Sequence, residues 1–272
     1  MDPNNIITDI CREITEKRAI IESDSDYGLR LTNRHNTALA RIANVNSWWL
    51  EHPELRRRIY HNARSTRNVR RNLARATKVA EKCSEKAWSY LREHSPLDDN
   101  LNHRMLLDLA GIIEEENDRF RSVRATLGFA EYCPPNPLKI GTLLDETFET
   151  MNSIRHPVEA AIYLHLRIAG IQPFNDGNKR VARLLQNRYL YEKRLPPPSI
   201  APSERGHYLD LLEHALSGYR DEIKLKMVPF YSYLGTKINT ALDEIIDGNA
   251  SVYNRNRTFL ITQEMRLPRK RE

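Results

Sequence analysis

Residues 172–183, Gln-Pro-Phe-Asn-Asp-Gly-Asn-Lys-Arg-Val-Ala-Arg, gather side chains suited to handling phosphate. Asp176-Gly177-Asn178 is a turn sequence that also serves as a helix start. Behind it, Val181, Leu184, Leu185 and Tyr189 recur at i, i+3, i+4 and i+8, one apolar face of a helix. Arg180, Arg183 and Asn187 take the other face at i, i+3 and i+7. A glycine loop opening onto a helix leaves backbone N–H groups unbonded and points the positive end of the helix dipole at a ligand. Lys179, Arg180 and Arg183 add charge, so the loop should act as an anion cradle. Asp176 is a hard oxygen ligand suited to a Mg²⁺ shared with phosphate oxygens.

The stretch resembles the signature of the Fic/Fido family, His-x-Phe-x-(Asp/Glu)-Gly-Asn-x-Arg-x-x-Arg. Phe174, Asp176, Gly177, Asn178, Arg180 and Arg183 match at the right spacing. Gln172 stands where the family carries its catalytic His, and Lys179 where most AMP-transferring members carry Gly. The Asn-Lys-Arg form is similar to the death-on-curing branch, which is a protein kinase. The resemblance implies ATP and Mg²⁺ as cofactors and adenylyl transfer to a Ser, Thr or Tyr hydroxyl of a target protein. It further implies Gly177, Asn178, Lys179, Arg180 and Arg183 as nucleotide-binding residues, Asp176 as the metal ligand and Phe174 as a core anchor. An amide has no useful basicity near neutral pH, so Gln172 cannot be a general base, although it can position a hydroxyl. The readings that follow are a slow or altered transferase, a nucleotide-binding pseudoenzyme or regulatory module, and a death-on-curing-like kinase. A relic loop with no ligand fits poorly, because five polar groups would converge on one point for no purpose.

The elements that must position this loop are mostly helical. Glycines number only 10, and long periodic segments dominate. The expected fold is mainly α: a Fic-type helical bundle with a small β-hairpin flap and an N-terminal helical extension. Residues 1–97 are assigned to that extension, 98–235 to the Fic core, and 236–272 to a C-terminal helix and tail. The periodicity predicts helices over 4–21 and 34–50, one long helix or a kinked pair over 54–93, then 101–116 and 138–153. A further helix starts at Pro157, and three more are predicted over 203–217, 219–234 and 236–246. The apolar face of 54–93 is traced by Ile59, Ala63, Thr66, Leu73, Ala76, Ala80, Cys83 and Ala87. His165 lies on an apolar face about two turns, roughly 10 Å of rise, ahead of the loop, and reads as a core histidine rather than a substitute base.

Val123, Ala125, Leu127 and Phe129 alternate with Arg124, Thr126, Gly128 and Ala130, a strand pattern. The resemblance makes this the flap that holds a protein target by strand addition. Family members are often held off by an inhibitory Ser/Thr-x-x-x-Glu-Gly/Asn helix. Thr77 to Glu81 is followed by Lys82, Thr240 to Glu244 by Ile245, and Ser95 to Asn100 has Asp99 for Glu, so no inhibitory residue is assigned.

Arg64, Arg67, Arg71, Arg75, Lys78 and Lys82 line a basic stripe, with no acid between Glu54 and Glu81. It could meet nucleic acid or an acidic protein, but the preferred reading is a solvated face beside acids such as Glu114-Glu115-Glu116. The net charge of +6 permits acidic partners without naming one. Three widely spaced cysteines, Cys11, Cys83 and Cys133, show no disulfide or metal spacing. No apolar run approaches membrane-spanning length, and the expectation is a cytoplasmic protein with no membrane partner.

Overall fold

The computed structural model describes residues 4–23, 25–62 and 65–247, with residues 23 and 25–33 as backbone alone. Ala63, Arg64, the apolar run 258–262 and the charged tail 268–272 lie outside the described residues. The described chain is helical: α1 (Thr8–Ser23), α2 (Ser25–Glu51), α3 (Pro53–His61), α4 (Thr66–Glu93), α5 (Leu97–Asn100), α6 (His103–Ile113), α7 (Ile140–Ser153), α8 (Pro157–Ile171), α9 (Asn178–Glu192), α10 (Arg205–Arg220) and α11 (Lys224–Ile246).

Helix α8 is the axis. Every side chain from Val158 to Ile171 is buried, as expected for a helix that is apolar nearly all round. Pro157 opens it, where a missing N–H costs nothing. α7, α9, α10 and α11 surround it, α1 lies on α11, and α2 lies on α9. One contiguous core joins Ile7, Ile14 and Leu50 to Leu106, Ile162, Leu185, Leu212 and Leu234. Glu159, buried on α8, accepts hydrogen bonds from the backbone N–H of Asn5, Ile6 and Ile7 at 2.9, 2.6 and 2.9 Å. That carboxylate caps the start of α1, where the dipole favours negative charge.

The predicted 54–93 segment is two helices. Ser65 caps α4 by accepting from Asn68 N–H at 3.3 Å, which starts a new helix instead of continuing α3. Its buried face is Val69, Leu73, Ala80, Ala87 and Leu91; Thr66 and Cys83, expected inside, are exposed. The predicted break at Gly235 is absent, and α11 runs through it. A Cβ there would lie 2.8 Å from Ile7 Cδ1, so the glycine serves the close approach of α1 rather than ending a helix.

The β-hairpin flap is not present among the described residues. Residues 121–136 form an extended segment with no strand. The alternation is real in burial, since Ala125, Leu127 and Phe129 are half-buried while Arg124, Thr126 and Gly128 are exposed. Leu127 and Phe129 pack on the core. What is missing is a second strand: Val123, expected to face the same way, is 64% exposed, and a period of two in one segment does not supply a pairing partner. No helix among the described residues is long and apolar enough to cross a membrane.

Candidate functional site

The loop between α8 and α9 is held from both ends. Gln172 caps α8 in the left-handed conformation, φ 51 and ψ 59. Its side chain is buried, and Nε2 donates to the Ala169 carbonyl at 2.6 Å. The amide in the base position is therefore turned back onto its own helix. Phe174 is fully buried against Phe120, with ring centroids 6.0 Å apart. The Asn178 side chain staples the loop: Oδ1 accepts from Phe174 N–H and Nδ2 donates to Phe174 O, both at 2.8 Å.

Gly177 supplies the turn into α9 with φ 78. The positive φ favours glycine, and a Cβ at that position would also press on Ile113 Cγ2 at 3.2 Å. α9 then begins at Asn178, as its spacing predicts, and Gly177 O accepts from Val181 N–H at 2.9 Å. The N–H groups of Asn178, Lys179 and Arg180 have no preceding carbonyl of the helix to bond. The Asp176 side chain is 81% exposed beside them. Its Oδ1 accepts from Gly177 N–H at 2.5 Å, and its Oδ2 lies 3.7 Å from Arg180 Nη2.

The cations of the loop are already engaged. Glu51, the last residue of α2, places Oε1 2.7 Å from Arg183 Nη2 and Oε2 3.5 Å from Lys179 Nζ. Ser47, one turn earlier, accepts from Arg183 Nε at 2.8 Å through its hydroxyl and from Nη2 at 3.1 Å through its carbonyl. Tyr208 Oη accepts from Arg183 Nη1 at 3.1 Å, so the guanidinium is fixed on every side. Arg180 Nη2 pairs with Glu114 at the end of α6. Arg180 Nε is buried without a partner beside a cavity of about 200 Å³.

Burial alone would raise the Glu51 carboxyl, but Arg183, Lys179 and Arg180 outweigh it and hold it at about 2, against an ordinary 4.5. A depressed value in the folded state contributes stability that is complete above the unfolded value and drains as pH falls toward 2. We therefore expect wild type to lose about 3 kcal/mol more than Glu51→Gln between pH 4.5 and 2. Urea denaturation at stepped pH checks this, and parallel curves for the two proteins would contradict it.

His165 is a core histidine. Its ring is fully buried between Gln186 Oε1 and Tyr208 Oη, at 2.5 and 2.9 Å, and burial pulls its pKa down to about 3. Glu114 belongs to the loop, not to the basic stripe of α4.

Three residues that the sequence left unassigned matter here. Arg121, buried, ties the extended segment to the loop: Nε donates to Gln172 O at 2.6 Å, Nη1 to Val123 O at 2.8 Å and Nη2 to Pro135 O at 2.7 Å. Nothing in its local sequence signals this. Arg121→Ala should cost about 3 kcal/mol or more, since several carbonyls lose a charged donor together. A chemical denaturation midpoint unchanged from wild type would contradict that. Ser47 and Glu51 did carry a signal: Ser47-Trp48-Trp49-Leu50-Glu51 has the Ser-x-x-x-Glu spacing, with His52 in place of Gly or Asn.

Among the described residues, then, the fold is a helical bundle whose central helix leads into a cation-lined loop at the start of α9. The family model described as Fic/DOC family matches residues 100–190 of this chain. It is 33% identical over 120 residues to the protein adenylyltransferase Fic of Aedes aegypti, and 33% identical over 107 residues to that of Culex quinquefasciatus. Those matches take in 43% and 38% of this chain but only 23% and 21% of the relatives, about a quarter or less of their length. The fold is similar to a Fic-domain signalling protein of Bacteroides thetaiotaomicron, with TM-score 0.67 and 19% identity over 88% of this chain and 98% of that one. It is also similar to Fic-1 of C. elegans, residues 134–508 with E274G, with TM-score 0.62 and 19% identity over 90% of this chain and 73% of that one.

Proposed function

We propose that this protein binds ATP with Mg²⁺ in the 176–183 loop, and that Glu51 occupies the same cations when nucleotide is absent. One contact carries the reading: a carboxylate bridges Lys179 and Arg183 at the mouth of α9, where an outer phosphate would sit. Cations held this way are built to grip an anion. Among the described residues no three His, Cys, Asp or Glu gather as a metal cluster. A single exposed carboxylate at Asp176 still fits Mg²⁺, which takes one or two carboxylates and completes its shell from phosphate and water. Bound there, Mg²⁺ supplies charge neutralisation on phosphate oxygens.

The residues of this chain then divide the work. The amides of Asn178, Lys179 and Arg180 receive phosphate oxygens. Arg180 and Arg183 hold the outer phosphates once Glu114 and Glu51 yield. Asn178 keeps the loop in shape. A target segment would dock beside Val123, Ala125 and Leu127, bringing its hydroxyl toward Gln172. The relatives support AMP transfer as the reaction. Without a base at Gln172, turnover rests on positioning and electrostatics and should be slower by about 10²–10⁴.

A second reading, a nucleotide-binding regulator without transfer, is favoured by the Gln172 amide bonding back to Ala169 O. A death-on-curing-like phosphate transfer keeps a place because of Lys179. Calorimetry tests the binding shared by all three: Arg180→Ala and Arg183→Ala should each weaken ATP–Mg²⁺ affinity about tenfold or more, the worth of a charge-assisted hydrogen bond. Unchanged affinity in both variants would refute the cradle.

A further inference from the structure

The α3–α4 hairpin carries charge that the nucleotide site does not use. Between Glu54 and Glu81 the chain has nine Lys and Arg residues and no acid, which leaves 33 basic residues against 36 acidic ones elsewhere. The net charge of +6 is thus concentrated in one short stretch. On α4 the apolar side chains Val69, Leu73 and Ala80 are buried in a cluster with Val45 and Trp49. That packing turns Arg67, Arg71, Arg75 and Lys78 outward, and all four are exposed. None of the four makes an ion pair with an acid among the described residues. The nearby acids are committed elsewhere: Glu81 and Glu85 face Arg41 of α2 at 3.3 and 3.8 Å, and Glu114 is bound to Arg180. Of the acids that the solvated-face reading invoked, Glu114 is taken by Arg180, and neither Glu115 nor Glu116 is paired with any of the four.

We propose that this face of α4 is a binding surface for the phosphate backbone of a nucleic-acid duplex, engaged without base specificity. Arg67, Arg71 and Arg75 follow at four-residue steps, about 6 Å apart along one side of the helix, with Lys78 a turn further. Three of the four are arginines, whose forked donors match phosphate better than the point charge of lysine. A protein partner would need an aromatic or aliphatic anchor at the centre of the patch. On the described hairpin the only large exposed hydrophobic is Val79. A membrane surface would need the apolar face of the helix, which is already buried in the protein. Single strands would need exposed aromatics for stacking, and Tyr60, Trp88 and Tyr90 are partly buried.

The test is fluorescence anisotropy of the full chain with a labelled mixed-sequence DNA duplex, and in parallel the matching RNA duplex, across 50–200 mM NaCl. Four phosphate contacts predict a log–log salt slope of about −3.6, and hence an affinity loss of about 100-fold over that range. Arg67→Ala/Arg71→Ala/Arg75→Ala, with a melting temperature matching wild type, should bind more than tenfold weaker at 50 mM, with a slope shallower by about 2.7. Binding of either duplex with that response supports the proposal, and the two arms separate DNA from RNA. Equal affinity and slope for the triple variant and wild type would overturn it. So would wild type that binds poly-glutamate or phosphatidylserine vesicles but neither duplex at 50 mM.

Discussion

Glu51→Ala should tighten ATP–Mg²⁺ binding by about 100-fold, on the order of 3 kcal/mol. The size follows from the contact itself. Lys179 and Arg183 hold the Glu51 carboxyl at about 2 rather than 4.5, and a nucleotide must break that interaction before its phosphates reach the same cations. Removing the carboxylate removes that competition and leaves Arg183 in place, because Ser47 and Tyr208 still hold its guanidinium. The same substitution should make the nucleotide-free protein less stable, since it strands a buried cation, at a cost of about 3–5 kcal/mol. Saturating ATP–Mg²⁺ should restore about 2.7 kcal/mol of that at a concentration a hundred times Kd. A variant that is destabilised without nucleotide, rescued by it, and tighter in binding is the signature expected. A variant that is destabilised and binds no better would leave Glu51 a structural residue only.

Gln172→His should raise transfer to a protein hydroxyl by about 10²-fold, the lower end of general-base effects. Histidine is among the residues that tolerate the left-handed conformation found here, φ 51 and ψ 59. It would also give up the Nε2 contact to Ala169 O, freeing the ring to face the loop. Labelling with α-³²P-ATP and γ-³²P-ATP in parallel identifies the group that moves. Label from α alone means AMP transfer, and label from γ alone means phosphorylation, the outcome that the extra cation at Lys179 would favour. A variant that binds ATP–Mg²⁺ yet labels nothing, itself included, would favour the regulator over the transferase.

What could be read from the sequence was short in range. The loop and the start of α9 follow from residues within a few positions of each other: Gly177 for the turn, Asn178 for the staple, then an apolar face behind them. What closes on the loop comes from far away. Arg183 meets Glu51 across 132 residues, and no periodicity encodes a contact of that separation. The Ser47-to-Glu51 spacing is local, but with His52 in the last position it stands no higher than the broken matches at Thr77, Ser95 and Thr240, and went unassigned. At residues 125–129 the alternation foretold which side chains turn inward, but it failed at exposed Val123 and on pairing, because pairing needs a second strand that the pattern does not contain. At Gly235 a residue that reads as a helix break is where Ile7 packs.

The central claim is that Lys179 and Arg183 take nucleotide phosphate where they now hold Glu51. It is tested most directly by calorimetric titration of ATP–Mg²⁺ into wild type, Glu51→Ala and Glu51→Ala/Arg183→Ala. Wild type should bind weakly, the single variant about 100-fold tighter, and most of that gain should be lost when Arg183 is also removed. Indistinguishable affinities in all three proteins would contradict it.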